Sequence, residues 1–401
     1  MLSDPVPAMD DTSLIRCLWS DILRLPKPRN AIFSCLTPIC LHVCAQTDSV
    51  GHAAVVAFHR DAYDIDIHLL RFFQNPHAFR SLQAKTGTLI SGSNALQFLS
   101  REVFPDADLD LYTHPRHTRQ VGLWLIDEGY SFTPRVSDLH RMLGALNTGT
   151  WASQMTIFEN TLLVYEAEQD EYDSSDIKAV YHFEKLMGSL RVPSKVQVIA
   201  CLQSPLHTIL NFHSSASDGS YSSPNMLTTQ SACVMNFVAY DAAYSIYPRA
   251  TFRDKVSVAF KASTPAEMRA HAKYEGRGWT TLPNLYDSPE VVQSCFVDVQ
   301  RHVGDSMTWT LPLDISDLRL RNIFKWDPVE YNSWSLSSTV TPGRVVPEFF
   351  VVRNAVFQYV YLVATASCVN ELKRPADKYA TAIRRHASRK KPTGRKITWI
   401  W

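Results

Sequence analysis

The chain has 401 residues, of which 45% are hydrophobic and 20% charged, and a formal net charge of +1. That length sets an expectation of one large domain or two to three ordinary ones with a sizeable core. The balanced charge excludes a global pull toward nucleic acid or membrane, so any basic character must be local. The eight cysteines (17, 35, 40, 44, 201, 233, 295 and 368) are scattered; in a chain this long they read as intracellular thiols, not a disulfide framework. The acidic start, Met1-Leu2-Ser3-Asp4-Pro5, lacks the basic segment of a secretory leader. The longest apolar run, 355–369, falls short of the roughly 20 residues a membrane span needs. The expected location is therefore the cytoplasm or the nucleus, with no membrane partner.

Residues 1–61 read as a helical N-terminal segment. Leu14, Ile15, Cys17, Leu18, Ile22 and Leu23 have helical spacing, and Pro26 and Pro28 end the helix. Cys35, Cys40, His42 and Cys44 cluster nearby, but C-x4-C-x-H-x-C is not a zinc spacing, and the apolar flanks favour thiols on a core face.

Residues 62–260 read as the core. Asn75-Pro76 marks a turn, and Gly87 breaks the chain ahead of a strand at 88–90. Ser93–Val103 reads as a helix and Asp108–Thr113 as a strand. Thr118–Glu128 reads as an amphipathic helix with Gly129 at its C-cap. The segments 154–159, 161–166 and 180–187 read as strands, and 195–201 (KVQVIAC) as an alternating strand. Residues 204–213 read as a Pro-started helix. The Ser-rich stretch 214–231 reads as an inserted loop. Residues 240–260 read as a turn followed by a strand or helix. The composition then shifts: 261–372 reads as a C-terminal α/β accessory region rich in isolated aromatics. Residues 373–396, with ten Lys/Arg against one Asp, belong to a basic tail (373–401). The tail could bind nucleic acid or act as a nuclear localisation patch, or be a solvated terminus.

The chemistry concentrates in Leu89-Ile90-Ser91-Gly92-Ser93 and Asp108-Leu109-Asp110-Leu111-Tyr112. Carboxylates at i and i+2 of a strand share a face. Two so close repel each other unless a cation lies between them. A glycine lets backbone N–H groups approach a phosphate, and a following helix start adds donors and a positive dipole end. This ordered set resembles the core signature of the polymerase-beta-like nucleotidyltransferase superfamily. Further phrases resemble a family of fungal proteins of uncharacterised activity: FRSLQAKTGTLISGSNALQF (79–98), FPDADLDLY (104–112), KVQVI (195–199), ILNFHS (209–214), CVMNF (233–237), YPRATF (247–252) and KYEGRGW (273–279).

The resemblance implies an α+β fold, a nucleotidyltransferase-like mixed β-sheet core flanked by helices. It implies that Asp108 and Asp110 hold Mg²⁺ (or Mn²⁺) and serve catalysis, while Gly92 and Ser93 cradle the phosphates of an NTP. Arg116 and Arg249, with Arg119 and Arg253, are candidates to neutralise a triphosphate through forked guanidinium contacts. The superfamily pattern commonly carries a third carboxylate mid-strand, where this chain has Gln197. A neutral amide supplies neither charge for a second metal nor a base. Two alternatives follow: Glu166 or Glu184 reaches the site from a neighbouring strand, or the protein binds nucleotide without transferring it. The blander readings are solvated carboxylates at a strand end, a tight turn with Ser93 as N-cap, and solvated arginines.

Overall fold

The computed structural model describes residues 11–105, 107–134, 150–167, 177–186, 193–210, 232–258, 265–282, 288–296, 299–324, 329, 333–341 and 344–352. The inserted loop 214–231, the run 355–369 and the basic tail lie outside them. The chain divides into two compact units, Met1–Asp64 and Ile65–Trp401.

The described part of the first unit is helical: α1 (Asp11–Arg24), α2 (Pro26–Ser34), α3 (Pro38–Thr47) and α4 (Ser49–Ala62). Pro26 and Pro38 open their helices, where the missing N–H would go unpaired anyway. The Asp48 side chain caps α4 by accepting from the Gly51 N–H at 2.7 Å. Phe33 and Phe58 meet edge to face at 5.5 Å within its core. Cys35 and Cys40 are exposed and Cys44 half-buried, so these thiols do not line a core face. Among the described residues, no group of three or more His, Cys, Asp or Glu could hold a metal ion.

The second unit is a mixed α+β structure, an eight-stranded mixed sheet flanked by helices. Helices α5 (Ile65–Leu69) and α6 (Pro76–Thr86) lead into β1 (Leu89–Ser91), then α7 (Gly92–Ser100), β2 (Leu109–Thr113), α8 (Thr118–Asp127) and β3 (Ser131–Thr133). The long helix α9 (Trp151–Ala167) follows, then β4 (Ile177–Lys185), β5 (Ser194–Cys201) and α10 (Pro205–Leu210). Next come a 3-10 turn (Ala232–Val234), β6 (Asn236–Val238), β7 (Ala242–Ser245), a π-helical turn (Arg249–Arg253) and β8 (Val256–Val258). Helix α11 (Pro265–Glu275), β9 (Thr280–Leu282), α12 (Pro289–Ser294), β10 (Gln300–His302), β11 (Trp309–Pro312), β12 (Ser333–Thr341) and β13 (Arg344–Val352) complete the described elements. Among them, no helix is long and apolar enough to cross a membrane.

The large sheet runs β11-β7-β6-β1-β2-β5-β4-β3. Its one parallel pair, β2 with β5, joins antiparallel strands on either side. Strand β11, from beyond residue 261, is thus hydrogen-bonded into the same sheet as the core strands. Strands β10, β12 and β13 form a separate sheet, and β8 pairs with β9.

One expectation is corrected here: 154–166 is helix, not two strands. Gln154, Ile157, Phe158, Thr161 and Leu162 are all buried, the i, i+3, i+4, i+7, i+8 stripe of a helix on a core. Phe158 packs on Phe132, Tyr181 and Phe183 of β3 and β4. Where the sequence was read correctly, the physical cause is local. Helix α8 ends on Gly129, whose φ of +88° makes the left-handed turn a helix C-terminus favours.

Candidate functional site

The sheet register builds the site. Ser91 lies opposite Asp110, and Asp110 lies opposite Gln197. Directly paired residues share a face, so Ser91, Asp110 and Gln197 stand side by side, with Asp108 two positions ahead of Asp110. Leu89, Tyr112, Ile199 and Val180 occupy the same face further along and belong to one buried apolar cluster. The face therefore changes from hydrocarbon to carboxylate within one strand length.

Gly92 turns the chain from β1 into α7 with φ +68°. A Cβ placed there would lie 2.4 Å from Asp110 Oδ2, so the close approach demands a residue without a side chain. The Asp110 carboxylate and the glycine turn are thus in contact. Helix α7 starts at Gly92, one residue earlier than its reading as Ser93–Val103, and Ser91, not Ser93, is its N-cap. The Ser91 hydroxyl leaves the helix uncapped and donates instead to the Asn236 carbonyl at 2.6 Å. The first-turn N–H groups of α7 consequently have no side-chain cap.

Asp108 and Asp110 are each half-buried. The Gln197 amide Nε2 donates to Asp108 Oδ2 at 3.1 Å. Burial, reinforced by the Asp108 charge and opposed by Lys273, pushes the Asp110 carboxyl up from 3.8 to about 7. The pair thus resists carrying two bare charges. The turn that delivers Asp108 is held from several sides. The Arg71 guanidinium donates to the carbonyls of Phe104 (3.0 Å), Pro105 and Ala107 (3.4 Å). Gln97 Oε1 accepts from the Phe104 N–H at 2.7 Å. Arg277 stacks over the Phe104 ring at 4.1 Å, and Lys255 reaches Glu102 at 2.8 Å.

Two residues that the sequence reading did not assign to the site belong near it. Tyr274 is buried, and burial pushes its hydroxyl pKa well up, with the Asp110 charge adding to the rise. Lys273, exposed beside it on α11, acts on Asp110 through its charge. Both lie in the KYEGRGW phrase, so the signal was present, but their spacing from Asp110 gave no hint of proximity.

The other candidates are placed as follows. Glu184 projects from the same face of β4 but pairs with Lys195 at 3.5 Å. Glu166 is on helix α9, not on a strand. Arg116 is exposed in the turn between β2 and α8, and Arg119 pairs with Glu159; the described contacts of neither reach the acid pair. Arg249 is half-buried over the Phe296 ring at 5.3 Å. His114 and His117 pack on Phe324. Asn236 is fully buried and donates to the Cys233 carbonyl at 2.8 Å.

A Mg²⁺-type cation keeps several waters and needs one or two protein carboxylates plus substrate phosphates. Two repelling carboxylates against a glycine turn fit that requirement for one such ion. Comparison of the chain with protein-family models, curated proteins and solved structures returned no match.

Proposed function

We propose that this end of the sheet binds a nucleoside triphosphate together with one divalent cation, Mg²⁺ or Mn²⁺, on a nucleotidyltransferase-type core. The observation that carries the reading is the contact between the Gly92 turn and the Asp110 carboxylate. On this reading, backbone donors that would accept an anion and a carboxylate that would accept a cation lie within one ligand's reach. Asp108 and Asp110 would hold the cation, which when bound neutralises and polarises phosphate oxygens. Gly92 and Ser93 would supply backbone donors at the start of α7, with the buried Tyr274 close by. Lys273 adds positive charge on the solvent side. In the active form of this proposal, an acceptor hydroxyl oxygen would bond to the α-phosphorus of the NTP and give up its proton to water, the bond between the α-phosphorus and the bridging oxygen would break, and pyrophosphate would leave.

A second reading, binding without transfer, is favoured by Gln197. Its amide donates to Asp108 and brings no negative charge for a second cation. Glu184, the acid on the adjoining strand, is engaged by Lys195.

Calorimetry with ATP and Mg²⁺ tests the binding claim. The wild-type chain should give a saturable heat that Asp108→Asn and Asp110→Asn each weaken at least tenfold. Equal heats in all three proteins overturn it. A labelled-NTP screen against RNA and protein acceptors then separates the two readings: incorporation lost in Asp110→Asn supports transfer, and binding without incorporation supports the second.

A further inference from the structure

A second cluster of charge lies where the π-helical turn leaves β7. The C-terminal end of β7 faces the N-terminal end of β6, since Ser245 pairs with Asn236. Strand β6 runs antiparallel to β1, so β7 ends on the side of the sheet where β1 gives way to Gly92. The acid pair on β2 and the end of β7 are three strands apart, about 14 Å at the usual strand spacing.

Three guanidiniums gather there: Arg249, Arg253 and Arg301. Among the described residues, two carboxylates answer them. Arg253 is paired with Asp254 at 2.7 and 3.1 Å, and Arg301 with Asp305 at 2.6 and 3.1 Å. Asp254 also acts on Arg249 through its charge, so three guanidiniums share two carboxylates and the cluster keeps one surplus positive charge. The Nε of Arg249 is buried and makes no hydrogen bond, and the same holds for Nη1 of Arg301, a residue only 1% exposed. Burial and the Arg253 charge lower the Arg249 pKa, against the opposing pull of Asp254.

Phe296 joins the two. Its ring lies 5.3 Å from the Arg249 guanidinium and 4.9 Å from that of Arg301. The residue adopts φ +52°, a strained conformation for a bulky side chain. Strain of this kind concentrates at ligand sites. Here the ring lies against two guanidiniums that each keep one unbonded nitrogen, although Arg301 donates four hydrogen bonds through Nε and Nη2.

We infer that Arg249, with the free Nη1 of Arg301 and the platform of Phe296, forms a binding site for a phosphoryl group. Guanidinium N–H forks match phosphate oxygens in pairs. The bound group would satisfy the two orphaned donors and the surplus charge together. It belongs either to the far end of the triphosphate or to a second phosphate-bearing molecule that meets it. This site stands on its own contacts and does not require the acid pair.

The test is calorimetry on the full chain with inorganic pyrophosphate in the absence of metal. Wild-type protein should bind it. Arg249→Gln should weaken binding at least tenfold, Arg249→Lys several-fold, and Asp110→Asn should leave it unchanged. A second titration with ATP and Mg²⁺ assigns the source: weakening in Arg249→Gln marks the triphosphate tail, and unchanged affinity marks a separate phosphate. If Arg249→Gln melts early, Arg249→Lys decides, because it keeps the charge and loses the fork. No binding by the wild type, or equal pyrophosphate affinity in wild type and the folded Arg249 variant, overturns the inference. Loss of the nucleotide proposal alone would instead show as an unaltered ATP–Mg²⁺ heat in Asp110→Asn.

Discussion

The two ends of one sheet face behave as opposites. At one end Leu89, Tyr112, Val180 and Ile199 are packed among hydrocarbon and stabilise the fold by leaving water. At the other, Ser91, Asp108, Asp110 and Gln197 share the same strands, yet the acids repel each other and burial works against the Asp110 charge. The first end is built for stability, while the second holds charge in a place that costs stability.

Substitutions at the two ends should therefore move stability in opposite directions. Ile199→Ala, at the apolar end, should destabilise by about 2–5 kcal/mol in a denaturant melt, since a packed side chain leaves a cavity. Gly92→Ala sits at the boundary. The left-handed φ and the Asp110 oxygen 2.4 Å from the new methyl should together cost about 1–3 kcal/mol and displace the carboxylate, abolishing any cation response.

Asp110→Asn should do the reverse and stabilise by about 1–2 kcal/mol at pH 8, less than the full shift because the side chain keeps some contact with water. The sign follows from the proton count. Folded Asp110 holds its proton to about pH 7, whereas the unfolded carboxyl releases it near 3.8. Between those values the folded state binds more protons, so wild-type stability falls as pH rises through that window. Melts across pH 4–8 should show that slope flattened in Asp110→Asn; parallel profiles would break the comparison. The same proton competes with a cation, so Mg²⁺ affinity should climb from pH 6 to pH 8 with proton release. The smallest effect is expected for Gln197→Ala, which removes one hydrogen bond to Asp108 and should cost about 0.5–1.5 kcal/mol.

Much of this was readable from sequence because its causes are local. The run β1, Gly92, α7, β2, α8 follows from short apolar strands, a glycine turn and a 3.6-residue stripe. Gln197 was set beside the acids by the resemblance, and the register pairs it with Asp110; β5 itself alternates only over its first half. Helix α9 was misread because Thr156, Ile157, Thr161 and Val164 favour strands over short windows. Only its burial against β3 and β4 reveals the helical period. Lys273 and Tyr274 escaped assignment to the site because nothing local ties them to Asp110. The Arg249–Arg301 pairing through Phe296 has the same character, joining residues that no motif links.

The order of strands has a consequence for how the molecule comes into being. Asp110 is flanked on one side by residue 91 and on the other by residue 197, while the partner of β1 beyond it is not reached until residue 236. During synthesis the acid-bearing hairpin emerges early and waits for more than half of the remaining sheet before both its neighbours exist. Pairings over such sequence separations close slowly. A nascent chain halted before residue 194 would carry both aspartates and still lack the wall that holds Asp108.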